Sequence, residues 1–247
     1  MLTMRFMHRI GYAVLLGIVL CGAVAEADEY AAKRRAMIDE LRRETRWVSS
    51  EIGKSELDVR VLEAMAKVPR HEFVSQDLRS IAYANRPLPI GYGQTISQPF
   101  IVALMTDLLR VGPDDTVLEI GTGSGYQAAV LAELARQVYS IEIVPELTKI
   151  ATERLKRLGY TKVETKTGDG YYGWPEHAPF DGIIVTAAPT QIPPPLVQQL
   201  KPGGRMIIPV GGQFLPQYLV LVEKSEQGRI STRQILPVQF VPLTGAH

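Results

Sequence analysis

Short apolar runs alternate with amphipathic stretches over the second half of the chain. The runs at Thr116–Ile120, Gln137–Glu142 and Lys162–Thr167 are rich in β-branched residues, which is typical of buried strands. Between them, Gly125–Arg136 and Pro145–Leu158 place apolar residues at helical spacing. This alternation predicts a parallel sheet with helices on both of its faces.

The pattern changes toward the C-terminus. Phe180–Thr186 predicts a fourth strand, Pro193–Leu200 a short helix and Arg205–Val210 a fifth strand. Two further strand candidates, Gln217–Val222 and Arg229–Val241, follow without an intervening helix, so we expect an antiparallel edge there. The predicted fold class is α/β, a doubly wound and mostly parallel sheet with an antiparallel C-terminal edge.

The first half of the chain is helical and then irregular. Asp28–Trp47 is a charged, alanine-rich helical segment, and Ser55–Val68 predicts a second helix that a proline ends. Ile81–Pro99 is long and rich in proline and glycine, and such a loop inside a compact domain is usually functional. The next helix, Phe100–Arg110, begins directly after a proline, which is a normal start signal.

The first 27 residues have the organisation of an export signal. Arg5 and Arg9 give a positive start, Ile10–Val24 is almost wholly apolar, and Ala23–Ala27 has small residues at the spacing of a cleavage site. The apolar run is too short for a comfortable membrane span. An uncleaved anchor and an extension from a misplaced start codon are the alternatives.

The predicted organisation is a signal peptide over 1–27, a charged helical extension over 28–56 and the main domain over 57–247. Cleavage would place the mature protein in the periplasm or outside the cell, whereas a misplaced start would leave it in the cytoplasm. Cleavage would also remove Cys21, the one cysteine of the chain, so an oxidising compartment poses no thiol problem.

Composition narrows the function classes. The chain has 247 residues, of which 46% are hydrophobic and 21% charged, with a formal net charge of +1. These values are typical of a globular domain, and without a basic excess nothing indicates a nucleic-acid partner. The four histidines are scattered and no two potential soft ligands stand at zinc spacing, so we expect no metal site.

A glycine-rich turn, Gly121-Thr-Gly-Ser-Gly125, joins the first strand of the alternating unit to its helix. In doubly wound sheets, ligands lie beyond the carboxyl ends of the strands. Gly121, Gly123 and Gly125 allow the backbone to approach such a ligand closely because they carry no Cβ. A tight strand–helix turn without any ligand is the simpler alternative.

Acidic residues around this turn favour S-adenosylmethionine (AdoMet) over a dinucleotide. Tyr126 occupies the position of the third glycine in the G-x-G-x-x-G fingerprint, and Glu119 just before the first glycine would repel a pyrophosphate. AdoMet carries a sulfonium and an amine and has no phosphate. Glu142, at the end of the next strand, stands where an acid accepts the ribose hydroxyls.

Two further candidates have structural alternatives. Asp169, between Gly168 and Gly170 after the third strand, could accept a hydrogen bond from an exocyclic amine such as that of adenine. It could equally stabilise its own turn. Ser97, two residues before the proline that opens a helix, is a candidate helix cap on local sequence alone.

Several stretches together resemble one family, the protein-L-isoaspartate (D-aspartate) O-methyltransferases, and most closely their bacterial members. The similarity runs from about residue 57 to 244. The glycine motif is generic to AdoMet methyltransferases, whereas the Gln-Thr-Ile-Ser-Gln-Pro and Val-Pro-Leu stretches are more specific. The similar stretches are Val68–Val74, Leu88–Gly91, Gly93–Pro99, Val117–Tyr126, Gly168–Gly170, Phe180–Pro189, Gly203–Arg205, Pro209–Gly211 and Phe240–Leu243.

The resemblance implies a Rossmann-like class I AdoMet methyltransferase that methylates the α-carboxylate of L-isoaspartyl residues in damaged proteins. The ester then favours succinimide formation, which begins repair. The implied partners are proteins and peptides that contain isoaspartyl residues, with no nucleic acid or metal, and we expect a monomer. A small-molecule carboxylate as acceptor and a non-catalytic isoaspartyl-binding protein are the alternatives.

Family roles can be transferred to matching positions. The active-site serine falls on Ser97, and Thr95 and Ile96 fall on the loop that closes over cofactor and substrate. Thr244 matches a reported ligand contact. The implied cofactor contacts are Glu119, Gly121, Glu142, Asp169 and Gly170.

Other enzyme classes fit less well. A serine hydrolase needs G-x-S-x-G, and Ser124 has Thr122 and Tyr126 in the glycine positions. A NAD-dependent oxidoreductase is disfavoured by the same Tyr126 and by Glu119. The main departure from the family is the N-terminus, where some fifty residues precede the region of similarity.

Overall fold

The computed structural model describes residues 29–212 and 215–246. The predicted signal peptide at 1–27 lies outside these residues. Within them, no helix combines the length and the apolar content that crossing a membrane requires.

A seven-stranded sheet forms the centre of the molecule. Its strands are β3 (Thr116–Ile120), β4 (Gln137–Glu142), β5 (Val163–Thr167), β6 (Phe180–Val185), β7 (Leu200–Val210), β8 (Gln217–Lys224) and β9 (Ile230–Val238). They lie in the order β5-β4-β3-β6-β7-β8-β9. Pairs from β5 to β7 are parallel, and β8 and β9 add two antiparallel strands at one edge. The predicted fold class is therefore confirmed.

The strand order determines where a ligand can bind. The chain runs outward from β3 to β4 and β5 and then returns to β6 on the other side of β3. Connections therefore diverge beyond the carboxyl ends of β3 and β6, which is the switch point where doubly wound sheets form their ligand crevice.

Seven helices of the described residues surround the sheet. Six of these α-helices agree with the sequence pattern to within a few residues, whereas α2 was not predicted. The seven are α1 (29–47), α2 (Ser49–Ile52), α3 (Val59–Lys67), α4 (Pro99–Leu109), α5 (Tyr126–Ala132), α6 (Pro145–Arg157) and α7 (Pro194–Gln199).

Three of the element ends that differ from prediction have clear local reasons. Helix α3 begins after Asp58, whose carboxylate caps it by accepting from the Arg60 amide at 2.9 Å. Helix α5 ends at Ala132 because the Leu134 amide bonds three residues back, which tightens the last turn. Strand β7 begins at Leu200, five residues early, because a register irregularity lets the turn pair with β6.

The predicted irregular stretch before α4 contains a small hairpin. Strands β1 (Leu88–Gly91) and β2 (Gln94–Ile96) pair antiparallel, with Leu88 opposite Ile96. Tyr92 at its tip has a φ of 54°, in the left-handed region that few non-glycine residues adopt. The hairpin brings the Gln-Thr-Ile-Ser-Gln-Pro segment to the sheet.

Two apolar clusters pack on the sheet. The larger contains α3, α4 and α5, and it also contains Met37, Ile38 and Leu41 of α1. The smaller includes Trp174, Phe180 and residues of β6 and β7. Since α1 shares the larger core, the segment predicted as an extension packs directly against the main domain.

Candidate active site

The glycine turn lies at the switch point. Gly121, Gly123 and Gly125 all have positive φ, at 95°, 52° and 87°. A Cβ at Gly121 would stand 2.3 Å from the Thr186 hydroxyl oxygen, which itself donates to the Gly121 carbonyl. The first position of the turn therefore requires glycine on both conformational and steric grounds.

Glu142 holds the turn from the neighbouring strand. One carboxylate oxygen accepts from the Gly123 amide at 2.8 Å, and the other accepts from the Val144 amide at 3.0 Å. The side chain sits at the end of β4 and lines the crevice beside the turn. The side chain therefore lies at the predicted strand end, and its role as acceptor for ribose hydroxyls stays a prediction.

Glu119 lies behind the glycine turn and does not line the crevice. It is fully buried and accepts a hydrogen bond from the Ser140 hydroxyl, which also pairs with Thr122 at 2.6 Å. Burial raises the pKa of Glu119 to about 8. The sequence predicts Glu119 as a charge that faces the ligand, but the structure buries the side chain away from the crevice, and this burial favours its neutral form.

Asp169 combines turn formation with a contact to the C-terminal tail. Its Oδ1 accepts from the Tyr171 amide at 3.0 Å, which is the turn-stabilising alternative, and its Oδ2 accepts from the Ala246 amide at 3.0 Å. Gly170 reaches the crevice, and a Cβ there would stand 2.2 Å from Ile120 Cγ2. Close packing therefore leaves no room for a side chain at position 170.

The crevice at the glycine turn is narrow, with a volume of about 60 Å³. Six of the predicted cofactor residues line it: Thr95, Gly121, Gly123, Glu142, Gly170 and Thr244. The other four, Ile96, Glu119, Gly125 and Asp169, stand outside the lining. Small-molecule sites measure roughly 300–1,000 Å³, so the crevice in this conformation is too small to enclose a nucleoside.

A second and larger cavity adjoins the crevice. Its volume is about 920 Å³, which is large enough for a stretch of peptide. Ser97 and Gln98 line one side and the segment 237–242 lines the other. Thr95, Thr186, Val241 and Pro242 belong to both cavities, so a group in one lies next to a group in the other.

Ser97 does not cap α4. The N-cap residue is Gln98, without a side-chain cap, and the Phe100 amide instead donates to Asn85 Oδ1 at 2.9 Å. The Ser97 carbonyl accepts from Arg70 Nη2 at 2.7 Å. Ser97 lines the larger cavity.

Arg70 was not predicted as a functional residue from the sequence. Its side chain is fully buried, donates from Nε to the Ala82 carbonyl at 2.7 Å and lies over the Tyr126 ring at 4.7 Å. Burial lowers the pKa of Arg70 to about 10. The available signal was its place in Val-Pro-Arg-His-Glu-Phe, one of the similar stretches.

The site contains polar oxygen acceptors and backbone donors. In the part of the chain that the structure describes, no group of three or more His, Cys, Asp or Glu side chains is placed to hold a metal ion. A glycine turn at a switch point and an acid ending the next strand form a nucleoside-binding crevice of the kind found in doubly wound sheets, and a second cavity adjoins it.

Comparison with known proteins specifies the family. The sequence pattern of the protein-L-isoaspartate(D-aspartate) O-methyltransferases matches residues 33–247. Protein-L-isoaspartate O-methyltransferase 2 of Syntrophobacter fumaroxidans is 66% identical over 235 residues, which cover 95% of both chains. Protein-L-isoaspartate O-methyltransferase 1 of Cupriavidus necator is 62% identical over 92% of this chain and 88% of its own. The chain belongs to this family.

Solved structures of similar fold include members of the same family. A protein-L-isoaspartate O-methyltransferase, 32% identical, superimposes with a TM-score of 0.71 over 83% of this chain and 66% of its own. A Plasmodium falciparum β-aspartate methyltransferase in complex with S-adenosyl-L-homocysteine is 25% identical. It superimposes with a TM-score of 0.70 over 85% of this chain and 98% of its own. The family match begins at residue 33, so it includes most of α1. The cofactor predicted from the sequence, AdoMet, is confirmed.

Proposed function

We propose that this protein transfers the methyl group of AdoMet to the α-carboxylate of L-isoaspartyl residues in damaged proteins and peptides. The observation that carries the proposal is the shared wall between the cofactor crevice and the large cavity that Ser97 lines. The relatives that are 57–66% identical carry the same activity in their names.

The cofactor would be held mainly by backbone and by one acid. The glycine turn lets the main chain approach a nucleoside, and Glu142 offers carboxylate oxygens at the end of β4. Thr95, Gly170 and Thr244 complete the crevice wall. Asp169, next to Gly170, remains the predicted acceptor for the adenine amine, although it does not line the crevice. When bound, AdoMet supplies an electrophilic methyl carbon.

The acceptor needs no general base. An α-carboxyl group has an unperturbed pKa near ~3.5, so it is already an anionic nucleophile at neutral pH. Catalysis then consists mainly of holding two reacting groups in line at attack distance. In this proposal Ser97 donates a hydrogen bond that orients the carboxylate, and backbone amides of the Thr95–Gln98 segment donate to its second oxygen. Thr95, Ser97 and Gln98 line the cavity, which supports these roles.

The test is methyl transfer to one peptide sequence made in isoaspartyl and normal aspartyl forms. The full chain is incubated with methyl-labelled AdoMet, and fragmentation by mass spectrometry locates the label. Base-labile label on the α-carboxyl of the isoaspartyl form alone supports the proposal. AdoMet binding without transfer to either peptide overturns it and indicates a different acceptor or a non-catalytic binding protein.

We further propose that residues 1–27 are a cleaved export signal and that the mature protein is a monomer in the periplasm or outside the cell. The positive start, the apolar run and the small residues at Ala23–Ala27 support export. N-terminal sequencing of the protein from fractionated cells tests it, and a cytoplasmic protein that retains Met1 contradicts it. Light scattering after gel filtration tests the monomer.

A further inference from the structure

The N-terminal helix α1 reaches the segment that carries the active-site serine. Glu44 on α1 accepts hydrogen bonds from the side-chain amides of Asn85 and Gln98, the latter at 3.4 Å. Gln98 follows Ser97 directly in the chain. Glu44, in the predicted extension, therefore contacts Gln98 beside the active-site serine and also contacts Asn85.

Asn85 also forms a hydrogen bond with the start of α4. Its Oδ1 accepts from the Phe100 amide at 2.9 Å, and so it satisfies one of the free amides at the N-terminus of the helix. An ionised carboxylate only accepts hydrogen bonds. Glu44 therefore requires the NH2 group of Asn85 to face it, and this orientation leaves the oxygen of Asn85 toward Phe100.

Ser97 lies between two anchors. Arg70 holds its carbonyl oxygen from one side, and the Glu44–Asn85 pair holds the first turn of α4 three residues later. We propose that Glu44 is a positioning residue for methyl transfer, which keeps the Ser97 segment at the distance and angle that the acceptor carboxylate needs. This inference rests on the proposed function, because it assigns Ser97 to the acceptor.

The rest of α1 stays attached without Glu44. Met37 and Leu41 are buried in the larger core, and Arg34 donates to the Ala66 carbonyl at 2.9 Å. Glu44 itself is only partly buried. Removal of the Glu44 side chain should therefore loosen the start of α4 while α1 stays packed on the core.

The first test compares Glu44→Ala, Glu44→Gln and the control Glu40→Ala. Glu40 lies one turn earlier on α1, makes no side-chain hydrogen bond within the described residues and acts on Glu44 only through its charge, which raises the pKa of Glu44. We expect E44A to lower kcat for an isoaspartyl peptide about 10-fold or more, since small misplacements at a reacting centre have large effects. The Kd for AdoMet and the kcat of E40A should change by less than about 2-fold. E44Q keeps an acceptor for Asn85 and should recover most of kcat.

A second test exchanges the amide and the carboxylate between positions 44 and 85. Asn85→Asp places two carboxylates against each other and should lower kcat at least as far as E44A. In the double variant E44Q/N85D, the new side-chain amide at position 44 can donate to the new carboxylate at position 85. That carboxylate still accepts from the Phe100 amide, so kcat should return to within about 3-fold of wild type. A double variant no better than N85D overturns the proposal, as does wild-type kcat in E44A.

Hydrogen exchange separates this inference from the proposed function. The Phe100 amide should exchange at least about 10-fold faster in E44A than in wild type, and E44Q should restore its protection. Unchanged exchange overturns the positioning role whatever the activity. If wild type methylates no isoaspartyl peptide but this pattern of exchange holds, the substrate assignment fails and the positioning of the Ser97 segment stands.

Discussion

The buried guanidinium of Arg70 donates to the carbonyl oxygen of Ser97 at 2.7 Å. Its Nη1 has no hydrogen-bond partner within the described residues, and its charge rests on the face of Tyr126. An anchor of this kind is costly to bury, and it fixes the backbone of the residue that faces the acceptor cavity.

Replacing this anchor should lower both stability and turnover. Arg70→Lys keeps the charge but cannot reach the Ala82 and Ser97 carbonyls together, so at least one buried acceptor loses its partner. We expect the free energy of unfolding to fall by about 1–3 kcal/mol in urea titrations. At a temperature where the variant is fully folded, kcat should still be lower than wild type. Wild-type kcat would show that Ser97 does not depend on this bond.

Glu142 and Ser97 should affect different steps. Glu142→Ala removes the acceptor for the Gly123 amide and the predicted acceptor for the ribose, each worth ~1–3 kcal/mol, so the AdoMet Kd should rise about 10- to 100-fold by calorimetry. Ser97→Ala should leave that Kd nearly unchanged and lower kcat. Equal losses of AdoMet affinity in both variants would contradict this division of roles.

Glu119 should make the ligand-free protein less stable as pH rises. Its pKa in the folded protein is about 8, against an ordinary value of 4.5, so the folded protein binds a proton that the unfolded chain has released. Its contribution is complete below pH 4.5 and is lost as pH rises through 8, with a slope of at most about 1.4 kcal/mol per pH unit. Urea titrations from about pH 5 to 8 should show a shallower slope for Glu119→Gln. Equal slopes would mean that Glu119 is ionised when buried.

The C-terminal tail should compete with the cofactor. The Ala246 amide donates to Oδ2 of Asp169, the residue predicted to accept from adenine, and a Cβ at Gly245 would overlap the Asp169 carboxylate at 2.1 Å. Truncation after Thr244 should therefore lower the AdoMet Kd about fivefold, the equivalent of one ordinary hydrogen bond. The gain should vanish in an Asp169→Ala background. A higher Kd after truncation would instead make the tail part of the cofactor site.

The sequence predicted the parts of the site that local signals define. Gly121 and Glu142 could be predicted because strand pattern and strand order place them at one edge of the sheet. Arg70, Asn85 and Glu44 could not, because their roles depend on contacts between residues 15 to 54 positions apart. The exposure of Glu119 was also beyond prediction, since an acid at the end of a strand can face the ligand or the core.

The central claim is that the protein selects the isoaspartyl linkage. The most direct measurement is the ratio of kcat/KM for the isoaspartyl and aspartyl forms of one peptide, with Ser97→Ala measured beside wild type. A site that orients the displaced α-carboxylate should give wild type a ratio of at least about 100, and S97A should lose rate on the isoaspartyl form. A ratio near one, or equal rates in both proteins, would contradict the account.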